Sequence, residues 1–153
     1  MAHYAFINSN NIVTEVITGI DEDKTDDLPD GFDSWEAWYA DFRGQTCKRT
    51  SYNTVNNAHT DSGTAFRGNY AGIGYTYISN VATLGVGSTD IFIGQQPHDS
   101  WSVGVGTAQW YPPSNPGDAP ALSDSDRAAG KYYQWNESNY QSNPATAWVL
   151  ITP

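Results

Sequence analysis

A chain of 153 residues, 39% hydrophobic, 14% aromatic and with a net charge of −10, has the length of one typical domain and can bury a real core. Its charge argues against a nucleic-acid phosphate backbone as partner, and no stretch nears the roughly 18 apolar residues of a membrane span. The opening MAHYAFINSNNIV has no basic segment followed by an apolar run, so no signal peptide is visible, which fits assembly in the cytoplasm.

Residues 3–8 (HYAFIN) and 12–18 (IVTEVIT) are rich in β-branched and aromatic types, with turn chemistry at 9–11 between them, and predict a β-hairpin. Tyr4 and Phe6 share one face, Ala5 and Ile7 the other. Both faces are apolar, so at least one must be covered. Residues 21–30 (DEDKTDDLPD) form an acidic loop. A calcium-loop register fails there, because Asp26 stands where a glycine is needed and Phe32 where the bidentate Glu is needed. The loop is expected to face solvent.

Residues 33–43 (DSWEAWYADFR) predict the one clear helix. Trp35, Trp38, Tyr39 and Phe42 make a single apolar stripe, which is expected to pack on the sheet. Asp33 is the expected cap with Glu36 three residues on, and Arg43 and Gly44 suit the carboxyl end. Residues 45–53 read as a strand and 54–69 as a polar loop. Cys47 is expected to be a buried small hydrophobe. Within 43–67 Arg43, Lys48, Arg49 and Arg67 form a basic belt. It is expected to complement the ten acidic groups of residues 1–42.

The remainder has a rhythm of paired aromatic strands: 70–77 with 90–93, 100–103 with 109–113, and 131–135 with 147–149. These predict three successive hairpins. The Pro-bearing linkers 94–99 and 112–120 are expected to be extended. The fold class is therefore mainly β (α+β): antiparallel hairpins and small sheets with one helix near 33–43. The expected division is an N-terminal β-rich domain, 1–93, and Pro-linked aromatic hairpins, 94–153.

No catalytic or cofactor-binding constellation is visible. The stretch GNYAGIG lacks the phosphate-loop spacing and its lysine. His59 beside Asp61, with His3 and His98 distant, gives no converging metal set. The expectation is a non-enzyme with no cofactor and no metal. The candidate contact residues are Trp101, Trp110, Tyr111, Tyr133, Trp135 and Trp148, because Trp and Tyr offer large contact area at little entropic cost. The same tryptophans could instead fill a thin core.

The segments MAHYAFINSNNIVTEVI, TCKRTSYNT, FRGNYAGIGYTY, DIFIGQQPHDSW and YYQWNESNYQSNPATAWV, in this order, resemble small virion-associated proteins of marine tailed phages, cyanophages especially. The resemblance spans nearly the whole chain, with AGIGYTY and the Trp-bearing tail its most specific parts. It departs from the family pattern at Ile78, where an acidic residue is expected, and in longer segments at 79–88, 114–130 and 136–146. The resemblance implies a non-enzymatic structural protein on the virion exterior, decorating the head or attached to the tail or fibre. It also implies capsid or tail proteins as partners, with self-association besides. A carbohydrate-binding module at a tail fibre, with a glycan as partner, and an assembly chaperone are the alternatives. Nucleic acid and membrane are not expected partners.

Overall fold

Alternation in the first strand sets the architecture, because a strand with two apolar faces must be covered on both. In the computed structural model, which describes residues 1–81 and 90–153, β1 (Ala2–Ile7) is the centre of a three-stranded antiparallel sheet. It lies between β2 (Val13–Gly19) and β3 (Thr46–Thr50). The turn into β2 is tied by Asn8, whose Oδ1 accepts from the N–H groups of Asn10 (2.9 Å) and Ile12 (3.1 Å). A bulge between Phe6 and Ile7 shifts the β1–β2 register.

One sheet face carries helix α1 (Trp35–Arg43). Tyr4, Phe6, Trp35 and Cys47 are buried there with Trp38 and Tyr39 packed around them. The helix begins one residue later than expected. Ser34, not Asp33, is the cap, its Oγ accepting from the N–H of Ala37 at 3.1 Å. Gly44 ends it at φ 63°, a left-handed conformation that glycine adopts at no steric cost. The expected four-residue core stripe is three residues long. Phe42, on the last turn, is 70% exposed and stacks on Trp38 at 5.2 Å and 12° instead of reaching the sheet.

The opposite sheet face is covered by the hairpin of β6 (Thr76–Ile78) and β7 (Ile91–Ile93), reached after two intervening short strands. Ala5, Ile7, Val13, Ala71, Tyr77 and Phe92 form this second core cluster. Val13 N–H donates to the Tyr75 carbonyl (2.8 Å) and Tyr77 N–H to that of Asn11 (2.8 Å), joining the hairpin to the start of β2. The loop expected at 79–88 lies, beyond residue 81, outside the described residues.

Residues 54–69 are not simply a loop. β4 (Thr54–Val55) and β5 (Ala58–His59) form a tight hairpin whose central residues, Asn56 and Asn57, take φ 52° and 59°. Asparagine tolerates that region and is favoured in such turns. Asn69 then ties three segments together. Its Nδ2 donates to the carbonyls of Phe92 (2.8 Å) and Ala108 (2.9 Å), and its Oδ1 accepts from Asn56 N–H (2.8 Å).

The chain divides into two compact units. One comprises 1–95 with 103–109, the other 96–102 with 110–153. β8 (Ser102–Val103) and β9 (Trp110–Tyr111) form a further short two-stranded sheet. In the second unit β10 (Tyr132–Trp135) pairs with β11 (Trp148–Ile151), with Trp135 opposite Trp148 and Tyr132 opposite Ile151. All three hairpins expected in the C-terminal half are present, and the fold is mainly β. The linker 112–120 is not extended throughout, because Gly117 N–H closes a turn onto the Pro113 carbonyl at 3.0 Å. The longer segments carry two unexpected helices. α2 (Asp124–Ala128) is capped by Ser123, and α3 (Glu137–Ser142) by Asn136.

Candidate functional site

The tryptophans of the second unit converge. Trp101 meets Trp135 at 5.8 Å and 86°, Trp135 meets Trp148 at 5.2 Å and 81°, and Trp148 meets Trp101 at 6.2 Å and 66°. All three contacts are edge-to-face, the arrangement the ring quadrupoles favour. His98 lies 5.5 Å from Trp101 and 6.2 Å from Trp135, and Tyr140 lies 5.2 Å from Trp135. Trp135 is only 5% exposed. This cluster is the core of its unit, so the core-filling reading holds for Trp135, with Trp101 and Trp148 half-buried beside it.

Polar contacts hold the cluster in register. Trp135 Nε1 donates to Glu137 Oε2 at 2.9 Å, and Ser100 Oγ donates to the same oxygen at 2.7 Å. Gln141 donates to Oε1 at 2.9 Å. The Glu137 carboxyl is held below the usual carboxylate range, first by the Trp135 indole, which outweighs the opposing effect of burial with help from Gln141 and Ser100. Trp148 Nε1 donates to the Gly117 carbonyl at 2.9 Å, anchoring the Pro-rich segment. Trp101 Nε1 is buried without a hydrogen-bond partner among the described residues.

Of the other candidate contact residues only Tyr111 is more exposed than the half-buried members of this cluster. Tyr111 on β9 is 38% exposed, and Trp110 is half-buried. Tyr133 on β10 is half-buried and pairs with Leu150, which is 37% exposed, while its neighbour Tyr132 is 49% exposed. Successive strand residues point to opposite faces. The ribbon β10–β11 therefore presents Tyr132 on one face and Leu150 on the other. His98, Tyr132, Glu137, Tyr140 and Leu150 were not singled out from sequence, since each lies in an unremarkable polar or mixed context.

In the first unit, an open groove of about 410 Å³ lies along the start of β1, the 21–23 segment and the turn after β3. Glu22 from this acidic segment is turned inward rather than solvated. Its two oxygens accept from the N–H groups of Trp35 (3.3 Å) and Glu36 (3.2 Å), placing negative charge at the amino end of α1. The remaining acidic side chains of 23–30 are exposed.

The basic belt is engaged internally. Arg67 Nη1 donates to Glu36 Oε2 at 2.6 Å, Lys48 Nζ lies 3.7 Å from Glu36 Oε1, and Arg43 pairs with Glu15. Arg49 stacks its guanidinium 4.0 Å from the Phe66 ring. His59 uses Nδ1 to accept from the N–H groups of Asp61 and Gly63, both at 3.0 Å, so it holds a turn. Among the described residues no group of three or more His, Cys, Asp or Glu side chains is placed to hold a metal ion, and no helix is long and apolar enough to cross a membrane. Cys47 is buried, and burial pushes its thiol up to about 12.

No family model, curated protein or solved structure matches this chain.

Proposed function

We propose that this protein is a non-enzymatic structural component of a phage virion, on the particle exterior, acting by contact with capsid or tail proteins. The observation that carries the reading is the ribbon β10–β11. A two-stranded ribbon is marginal by itself in water. This one is packed on one face by Trp135 and Trp148, with Leu150 part-exposed further along that same face, and it carries the exposed Tyr132 on the other. An exposed strand with apolar side chains is suited to being extended by a strand of a neighbour's sheet. The order of motifs around AGIGYTY and the Trp-bearing tail, similar to marine phage virion proteins, supports the same reading.

Mass spectrometry of purified virions of the phage encoding this chain is the direct test. The protein should be present in stoichiometric amount, and particles assembled with the double variant Tyr132→Ala/Leu150→Lys should lack it while the free variant keeps its circular dichroism spectrum. Expression in infected cells together with absence from finished particles would replace this reading with an assembly chaperone.

A further inference from the structure

The groove of the first unit is unrelated to the tryptophan cluster and to the ribbon. It is built by the β1–β3 pairing, in which His3 stands opposite Thr50, so that the residues following β3 fold back beside His3. Ser51 carbonyl accepts from Thr54 N–H at 3.2 Å and Asn53 carbonyl from Thr60 N–H at 2.8 Å, which fixes a turn with Tyr52 and Asn53 at its tip.

Tyr52 is 68% exposed, yet it is not loose. Its ring stacks on His3 at 5.9 Å and 26° and meets the edge of Tyr70 at 5.4 Å. Tyr70 also meets His3 edge-on at 5.4 Å. Three rings from separate segments thus hold an exposed aromatic plane at the rim of a polar groove. Asp21, Asp23, Arg49 and Asn53 line that groove with His3 and Tyr52. The side chains of Asp23 and Asn53 make no hydrogen bond to any other described residue.

A pyranose ring matches these features. Its axial C–H face is apolar and packs on an aromatic plane, while its rim of hydroxyls both donates and accepts. A carboxylate accepts from two adjacent hydroxyls, and an asparagine amide donates and accepts at once. The volume of about 410 Å³ lies within the roughly 300–1,000 Å³ of small-ligand sites. Asp21 is paired with the terminal ammonium of Met1 at 2.9 Å, and Arg49 lines the groove too, so the carboxylates and cations there largely offset one another and Asp23 is left as the free carboxylate, a balance that favours a neutral ligand over a charged one. We infer that this groove is a binding site for a neutral sugar residue, with Tyr52 as the stacking platform and Asp23 and Asn53 as the hydroxyl-binding groups. The inference stands whether or not the chain is a virion component.

Saturation-transfer NMR on the whole chain tests it, with methyl glycosides of glucose, galactose, mannose and N-acetylglucosamine as probes and N-acetylneuraminic acid as the anionic control. At least one neutral glycoside should receive saturation, with a dissociation constant on the order of 1–10 mM, as expected for so few ligand atoms. Tyr52→Ala should weaken it at least about tenfold, and Tyr52→Phe no more than about twofold, since the phenyl ring keeps the stack. Tyr52→Phe should melt at the wild-type temperature and Tyr52→Ala only slightly below it, as for loss of an exposed stack, so that the binding loss is read on folded protein. Lack of transfer to every neutral glycoside, undiminished transfer in Tyr52→Ala, or preference for the anionic sugar would each overturn the inference.

Discussion

Glu36 Oε2 accepts from Arg67 Nη1 at 2.6 Å and, at 2.5 Å, from the backbone N–H of Arg49. The same Arg67 nitrogen donates to the Arg49 carbonyl at 2.9 Å, and Arg67 carbonyl accepts from Phe92 N–H at 2.9 Å. One ion pair thus fastens helix α1 to β3 and to β7, linking the elements that cover the two sheet faces. Burial by itself raises the Glu36 carboxyl pKa. The bonds from Arg67 and Arg49 and the charges of Arg67 and Lys48 outweigh it and hold the group below the usual carboxylate range.

Glu36→Gln should destabilise the protein by about 2 kcal/mol at neutral pH. That is less than the ~3–5 kcal/mol for breaking a fully buried pair, because the side chain retains 21% exposure and is partly screened. The wild-type contribution is complete above the unfolded carboxylate pKa of about 4.3 and is lost as pH falls below it through the lowered folded value. Urea unfolding at pH 7 and pH 3 should show the wild type losing more stability than Glu36→Gln. Asp90 is also held low, by the Tyr77 hydroxyl and the Asn80 N–H against the cost of burial, and the acid sensitivity it adds is present in both proteins.

The aromatic stripe of α1 divides sharply. Trp35→Ala should cost about 3–5 kcal/mol, since the ring is 3% exposed and its Nε1 donates to the Lys24 carbonyl at 3.1 Å. Phe42→Ala removes only an exposed stack and should cost about 0.5–1 kcal/mol. Equal melting temperatures for the two variants would contradict this division.

In the second unit, Trp148→Phe should cost about 1 kcal/mol more than Trp101→Phe. The first leaves the Gly117 carbonyl without its donor, while the second removes a buried N–H that has no described acceptor. Chemical denaturation of the two single variants decides it.

Cys47 should not react with a thiol reagent at pH 8 in the native protein, because burial keeps its thiol protonated up to about 12. In urea it should react with one equivalent. Fast native-state labelling would mean that the helix-facing side of the sheet opens readily.

The first hairpin, the strand after α1 and the three aromatic hairpins were legible because alternation and turn residues are local signals. Helices α2 and α3 were not, since helices so short have too few turns to show periodicity. Their signal was capping alone, at Ser123 with Asp126 and at Asn136 with Asn139. The β4–β5 hairpin was announced only by the pair Asn56-Asn57. The fate of Phe42 depended on where the helix leaves the sheet, which spacing does not report. The tryptophans could be named from sequence but not their convergence, and the groove beside Tyr52 was invisible because β-register brings its parts together from positions 3, 21–23 and 49–53.

Asn69 also sets a chemical boundary on how this chain can vary. Two carbonyl oxygens, from Phe92 and Ala108, face its nitrogen, and one backbone N–H, from Asn56, faces its oxygen. Only a group that is a double donor at one end and an acceptor at the other meets that demand, and at this reach only an asparagine has it. Hydrolysis of the amide to a carboxylate, a substitution of a single atom that leaves the shape intact, would turn an oxygen toward two oxygens and reverse the polarity of the junction. The junction of the first unit therefore rests on the polarity of a single amide, independently of how well its cores are packed.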